Sequence, residues 1–286
     1  MNVLSSVAIL RTVAELRAWS RSERMAGRTV GLVPTMGALH AGHASLVRAA
    51  AADCHSVVVS VFVNPTQFGP HEDFDRYPRS FDPDCQLARG AGATAVFAPT
   101  VDEIYPDGAE TFVDAGSLSA KLDGASRPGH FRGVATVVAK LFLAAEPDRA
   151  YFGQKDAAQV AVLRRMALDL RFATEIIVCP IVRESDGLAL SSRNIYLSPT
   201  ERRQALVLSR SLESASRLYK AGERTAATLL AAVHEQFATE PTVRIDYAEL
   251  VDWQTLEPVA KAAPGSLLAV AAWVGSTRLI DNVVLA

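Results

Sequence analysis

Hydrophobic positions along the chain fall into two alternating textures. The runs 29–33, 57–63, 95–98 and 175–178 are short, dense in valine, isoleucine and alanine, and almost free of polar positions. A strand with one wet face would alternate, so these runs predict strands buried on both faces. Between them, 44–52, 134–145 and 157–170 are longer and carry apolar residues at helical spacing. Strand–helix alternation of this kind predicts βαβ units, and hence an α/β fold: a Rossmann-like parallel sheet with helices on both faces. Ligands of such sheets bind beyond the carboxyl ends of the strands, which directs attention to the residues that follow each apolar run.

After residue 182 the texture changes. Two helical stretches, 201–220 and 226–237, precede strand-like runs at 243–250, 267–273 and 277–280. This predicts a smaller α+β domain over 182–286 that acts as a lid on a nucleotide- and substrate-binding domain over 1–181. The Ser-, Gly- and charge-rich segment 183–194 is the expected junction.

Composition narrows the function classes. The 286 residues are 49% hydrophobic and 21% charged, enough apolar material for a sizeable core, and the net charge of −2 supplies no basic field for nucleic acid. A small-molecule partner is the expectation. Cys54, Cys85 and Cys179 are odd in number and far apart, which suggests neither a disulfide framework nor a zinc site and suits a reducing cytoplasm. The apolar start is interrupted by Arg11, Glu15 and Arg17, so it reads as folded protein, and no apolar run is long enough to span a membrane.

The strongest chemical signal is the segment from Val33 to His43, V-P-T-M-G-A-L-H-A-G-H, which follows the first confident strand and runs into a helix. His40 and His43 share one face of that entrance, beside N–H groups with no intrahelical acceptor. Gly37 and Gly42 allow close approach to the backbone, and the helix dipole favours negative charge, so the pattern predicts an anion site. The spacing differs from that of a zinc-binding H-E-x-x-H helix. Asn64 and Gln67 follow the second strong strand, where their amides suit a substrate bearing hydroxyls and a carboxylate, although Asn-Pro is also a turn opener. Lys155 follows the strand end Tyr151-Phe152-Gly153, and Ser191-Ser192-Arg193 offers hydroxyls and a cation or, alternatively, only a capping loop.

T-M-G-A-L-H-x-G-H resembles the HIGH-type signature of the nucleotidylyltransferase superfamily in the form typical of pantothenate synthetases. Further segments match that family in order: V-F-V-N-P-T-Q-F at 61–68, F-G-Q-K-D at 152–156 with Gln159, S-S-R-N at 191–194 and R-L-I-D-N at 278–282. The resemblance implies an ATP-dependent ligase joining pantoate to β-alanine through an acyl-adenylate. It implies that Pro34, Thr35, Met36, Gly37, His40, His43 and Gln154 contact ATP. Lys155, Ser191, Ser192 and Arg193 are assigned to the phosphates, Gly153 and Asp156 to the ribose, and Val182 and Leu190 to the base and its packing. His40, His43, Lys155 and Arg193 become the catalytic residues, with Gln67, Gln159, Asn64, His130 and Tyr77 around pantoate. Asp84 matches an acidic position linked to Mg2+, and relatives imply a homodimer. Leu190 stands where the family usually has methionine, a swap of similar volume, and Ala157-Ala158 replaces bulkier residues before Gln159. The competing readings are another HIGH-type nucleotidyltransferase acting on a different acid or phosphorylated acceptor, which would call for more cations near Gln67, and a non-catalytic ATP sensor, which needs no acid pocket.

Overall fold

In the computed structural model, which describes residues 7–70 and 72–286, the apolar runs line up as a six-stranded sheet in which every neighbouring pair is parallel. Its strands are β1 (Ala8–Leu10), β2 (Val30–Thr35), β3 (Ser56–Val61), β4 (Ala95–Phe97), β5 (Arg149–Gly153) and β6 (Glu175–Cys179), in the order β1-β4-β3-β2-β5-β6. Val30, Leu32, Val33, Val58, Val59, Val96 and Phe97 are completely buried. Such burial on successive residues requires cover on both faces, as the unbroken apolar runs predict. Helices α1 (Val13–Met25), α2 (Ala41–Asp53), α3 (Phe81–Ala91), α4 (Val101–Ile104), α5 (Asp123–Ser126), α6 (His130–Ala145) and α7 (Ala157–Asp169) are interspersed with the strands.

The strand order reverses between β2 and β5, since the chain steps from β2 to β3 and β4 on one side and later places β5 and β6 on the other. Crevices at such reversals are where open α/β sheets bind ligands. The segment carrying His40 and His43 follows β2, and the Gln154-Lys155-Asp156 segment follows β5.

Several boundaries differ from the sequence expectation for physical reasons. Helix α6 begins at His130 rather than 134, because His130, Phe131 and Gly133 are buried with its apolar face although two of them interrupt the apolar pattern. Strand β3 stops at Val61, two residues before the Asn64-Pro65 turn. Helix α1 lies outside the expected elements; its start is marked by a capping box in which Thr12 accepts from the Glu15 N–H and Glu15 accepts from the Thr12 N–H. Residues 1–6 of the apolar start lie outside the described residues.

The chain divides into two compact units. The first comprises 1–119, Arg127–Gly153 and Val162–Cys179; the second comprises Ala120–Ser126, Gln154–Ala161 and Pro180–Ala286. In the second, β7 (Val243–Asp252), β8 (Ser266–Val274) and β9 (Thr277–Val284) form an antiparallel sheet in sequence order. Helices α8 (Pro199–Lys220) and α9 (Ala226–Phe237) share its core, with Leu208, Leu212, Leu229 and Val233 clustered with Leu268, Val270 and Ala272. Helix α8 starts cleanly because Ser198 and Glu201 form a capping box around Pro199.

Candidate active site

In the first unit, the loop after β2 is held from its start. Thr35 ends the strand with its hydroxyl donating to the Ser60 carbonyl at 2.6 Å and accepting the Gly37 N–H at 3.1 Å. Gly37 and Ala38 then both take left-handed backbone, at φ +84° and +51°. Glycine is needed at 37 for a second reason: a Cβ there would stand 3.0 Å from Asp84 Oδ2 and 3.1 Å from Val61 Cγ1.

Asp84 is the anchor of this turn. It is buried on α3, and its two oxygens accept the Ala38 N–H at 2.9 Å, the Leu39 N–H at 2.8 Å and the Ser80 hydroxyl at 3.1 Å. Asp84, the residue expected at the magnesium, is thus the acceptor around which the loop folds. Among the described residues, no group of three or more His, Cys, Asp or Glu side chains is arranged to hold a metal ion.

The helix entrance also departs from the expectation of bare N–H groups. His40 is the N-cap of α2, its Nδ1 accepting the Gly42 N–H at 3.1 Å, while His43 Nδ1 accepts the His40 N–H at 3.2 Å. The two rings lie 4.1 Å apart between centroids. Each capping bond fixes a tautomer: a nitrogen that accepts from a backbone N–H carries no proton, so in both rings the proton sits on Nε2. Two N–H groups of the entrance, those of His40 and Gly42, are thereby engaged by imidazole nitrogen, and each ring carries its proton on Nε2.

The turn after β3 is as tightly specified. Asn64 is buried; its amide nitrogen donates to Gln67 Oε1 and the Gly133 carbonyl, both at 3.1 Å, and its oxygen accepts from the Thr66 N–H, the Thr66 hydroxyl and the Tyr105 hydroxyl. Asn64, expected as a pantoate contact, thus has its amide hydrogens and its oxygen engaged within the protein and bonds the Gln67 side chain directly. The Gln67 amide nitrogen donates to Met36 Sδ at 3.1 Å. Gly133 allows α6 to meet this turn backbone to backbone, since a Cβ there would lie 2.3 Å from the Thr66 carbonyl oxygen and 2.7 Å from the Gln67 nitrogen. Tyr77 is buried edge-on against Phe68. His130, also expected beside the acid, contacts the Gln67 carbonyl through Nδ1 at 2.8 Å and Arg127 through Nε2 at 2.9 Å.

In the second unit, the Gln154-Lys155-Asp156 segment is clamped by Asn282, whose amide nitrogen donates to the carbonyls of Gln154 and Lys155, each at 3.0 Å, while Gln154 donates back to Asn282 Oδ1 at 3.2 Å. Trp253 Nε1 donates to the Ala157 carbonyl. The small residue Ala157 thus sits where the chain is held from outside. The ammonium of Lys155 lies 3.8 Å from Asp156 Oδ1, and Gln159 is half-buried in the first turn of α7. Ser191 caps a short 3-10 turn by accepting the Arg193 N–H at 3.2 Å, so the capping reading of this serine holds. Val182 accepts from the Leu190 N–H at 2.9 Å, and the neighbouring Arg183 forms a paired contact with buried Asp281 at 2.7 and 2.9 Å. Asn282 and Asp281 belong to the R-L-I-D-N segment, whose place in the motif order is legible in the sequence but whose clamping role is not.

The cysteines stand apart from this chemistry. Burial pushes the thiols of Cys54, Cys85 and Cys179 above their usual range, and all three are free. None is poised as a thiolate nucleophile.

The family model described as pantoate-beta-alanine ligase matches residues 8–284. The chain is 59% identical over 285 residues to the pantothenate synthetase of Acidobacterium capsulatum, covering 96% of this chain and 95% of that protein. It is 56% identical over 277 residues to that of Koribacter versatilis, covering 97% and 95%. The crystal structure of pantothenate synthetase from Thermus thermophilus superposes with a TM-score of 0.92 at 48% identity, covering 98% of this chain and 99% of that one. The pantoate-beta-alanine ligase of Francisella tularensis, complexed with β-γ ATP and β-alanine, gives 0.79 at 32% identity with 97% of each chain covered. With the HIGH-type loop, the amide-bearing turn and the clamped lysine segment all in place, the chain belongs to the pantoate–β-alanine ligase family.

Proposed function

We propose that the chain condenses pantoate with β-alanine using ATP, forming a pantoyl-adenylate and releasing pyrophosphate and then AMP. The observation that carries this reading is the His40–His43 pair, two imidazoles whose capping bonds commit Nδ1 and turn Nε2–H into the donor. Negative charge grows on the α-phosphate oxygens and on the departing pyrophosphate when a pantoate carboxylate oxygen attacks phosphorus. Donors already fixed by the fold stabilise that charge without reorganising. In this proposal Lys155 and Arg193 add positive charge, with Ser191, Ser192 and the ATP residues named above lining the nucleotide. Gln67 and Gln159 hold pantoate so that its carboxylate meets phosphorus in line. In the second step the neutral amine of β-alanine attacks the carbonyl carbon of the mixed anhydride, the bond to the AMP oxygen breaks, and a proton leaves the nitrogen. No covalent enzyme intermediate is required, in keeping with the raised thiols.

Magnesium would enter with ATP, supplying positive charge at the phosphates, and Asp84, whose oxygens already accept from the loop, is the carboxylate of this chain that would stand nearest to that role. The lid role of the second unit and assembly as a homodimer belong to the same proposal and rest on the family resemblance. A cytoplasmic setting suits the three free cysteines, and among the described residues no helix is long and apolar enough to cross a membrane.

Isotope tracing tests the route. With ATP, magnesium and pantoate but no β-alanine, the enzyme is expected to exchange labelled pyrophosphate into ATP. Pantoate labelled with heavy oxygen in its carboxylate should deliver one label to AMP once β-alanine is added. Production of ADP and inorganic phosphate, with unlabelled nucleotide, would replace the adenylate with an acyl phosphate.

A further inference from the structure

We infer that Arg127 is a positioning residue for the acid substrate: backed by Glu72, it sets the tautomer of His130, and the two together fix the backbone carbonyl of Gln67 and so its amide. This inference rests on the reading of Gln67 as a pantoate ligand. A guanidinium has N–H donors and no acceptor. Its Nη1 lies 2.9 Å from His130 Nε2, so Nε2 must accept and the ring proton must sit on Nδ1. Nδ1 stands 2.8 Å from the Gln67 carbonyl oxygen and therefore donates to it. Arg127 Nη2 adds a second, longer donation to the same oxygen at 3.3 Å.

Arg127 is itself held at a fixed angle. Its Nε and Nη2 donate to the two oxygens of Glu72 at 2.7 and 2.6 Å, the paired geometry that orients a guanidinium most firmly. Burial acts to raise the Glu72 carboxyl, but the hydrogen bond and charge of Arg127 outweigh it and hold the group below its usual range. The pair therefore persists at neutral pH as carboxylate and guanidinium. Gln67 is thus gripped at both ends, its side-chain oxygen by Asn64 and its carbonyl by His130 and Arg127. The close approach at Gly133 removes the space into which the turn could otherwise shift.

Steady-state kinetics on the full chain, with each of the three substrates varied, test this. R127M is expected to raise the pantoate KM about tenfold, the scale of one lost interaction, while the KM values for ATP and β-alanine stay within about twofold. H130N, whose amide nitrogen falls where Nδ1 does and which has no tautomer to lose, should raise the pantoate KM by less than R127M does. In the H130N background the R127M penalty should shrink to about threefold or less. Histidine 15N NMR should find the His130 proton on Nδ1 in wild type and redistributed toward Nε2 in R127M. An undiminished R127M penalty in H130N, an unshifted His130 tautomer, or an unchanged pantoate KM in R127M would overturn the inference. Q67A is the control for the underlying reading: if it leaves the pantoate KM unchanged, the assignment of Gln67 fails whatever the NMR shows.

Discussion

His43→Ala is expected to cut turnover by about 10²–10³-fold, the scale of removing one preorganised transition-state donor. The ring does two things that can be separated. Through Nδ1 it accepts the His40 N–H, and through Nε2 it would, in the proposed role, offer a proton to phosphate oxygen. His43→Asn retains a polar group near the capping position, whereas His43→Gln places its amide nitrogen near Nε2. If donation to the nucleotide dominates, the glutamine variant retains more activity than the asparagine variant. If ordering the helix entrance dominates, that ranking inverts. Lys155→Ala should produce a loss of the same order through a different route, because its backbone remains clamped by Asn282 and only the ammonium disappears. Both sets of variants should melt close to wild type; near-normal turnover in His43→Ala and Lys155→Ala would remove these residues from the site.

Asp84→Ala should be damaging in stability and activity together. It deletes an acceptor for three donors, two of them backbone N–H groups of a turn that includes two left-handed residues. Leaving such donors without a partner costs about 1–3 kcal/mol each, so a loss of about 3–5 kcal/mol is expected in denaturant unfolding. The turn would relax, and the His40–His43 pair with it, so turnover should fall by at least about tenfold, on the order of 1.4 kcal/mol of barrier. Asp84→Asn keeps the shape but only one oxygen and should fall between. Raising magnesium should restore none of these losses; rescue of turnover by magnesium, with unfolding unchanged, would make Asp84 a metal ligand.

Strands β2, β3 and β4 were legible because burial on both faces leaves unbroken apolar runs; β6 was legible too, although it is mostly half-buried, β5 only as a strand end, and β1 not at all, while α8 and α9 were legible because their apolar spacing is regular over long stretches. Helix α1 was readable in principle from Thr12-x-x-Glu15, a pattern that is easily passed over when the following residues are rich in arginine and glutamate. The placement of candidate residues was legible where they follow strand ends, as with His40 and His43 after β2 and Lys155 after β5. What could not be read was which polar groups serve the protein rather than the substrate. Asn64 and His130, both expected beside the acid, also have protein partners that the sequence does not announce: the Gly133 carbonyl, 69 residues from Asn64, and Arg127, 3 residues from His130. Gly133 did leave a trace: a glycine inside an otherwise apolar helix costs about 1 kcal/mol against alanine, so its presence signals a close backbone approach.

The clamp on Lys155 has a consequence for synthesis. Asn282, in β9, reaches back 127 residues to hold the Lys155 carbonyl. Domains assemble from the amino end as the ribosome delivers them, so the parallel sheet can form long before the Lys155 segment is secured. A nascent chain that has reached β8 but not β9 carries Lys155 and still leaves its segment without this clamp. Closure of the clamp is therefore expected to trail the folding of the parallel sheet and to wait for β9 to emerge from the ribosome.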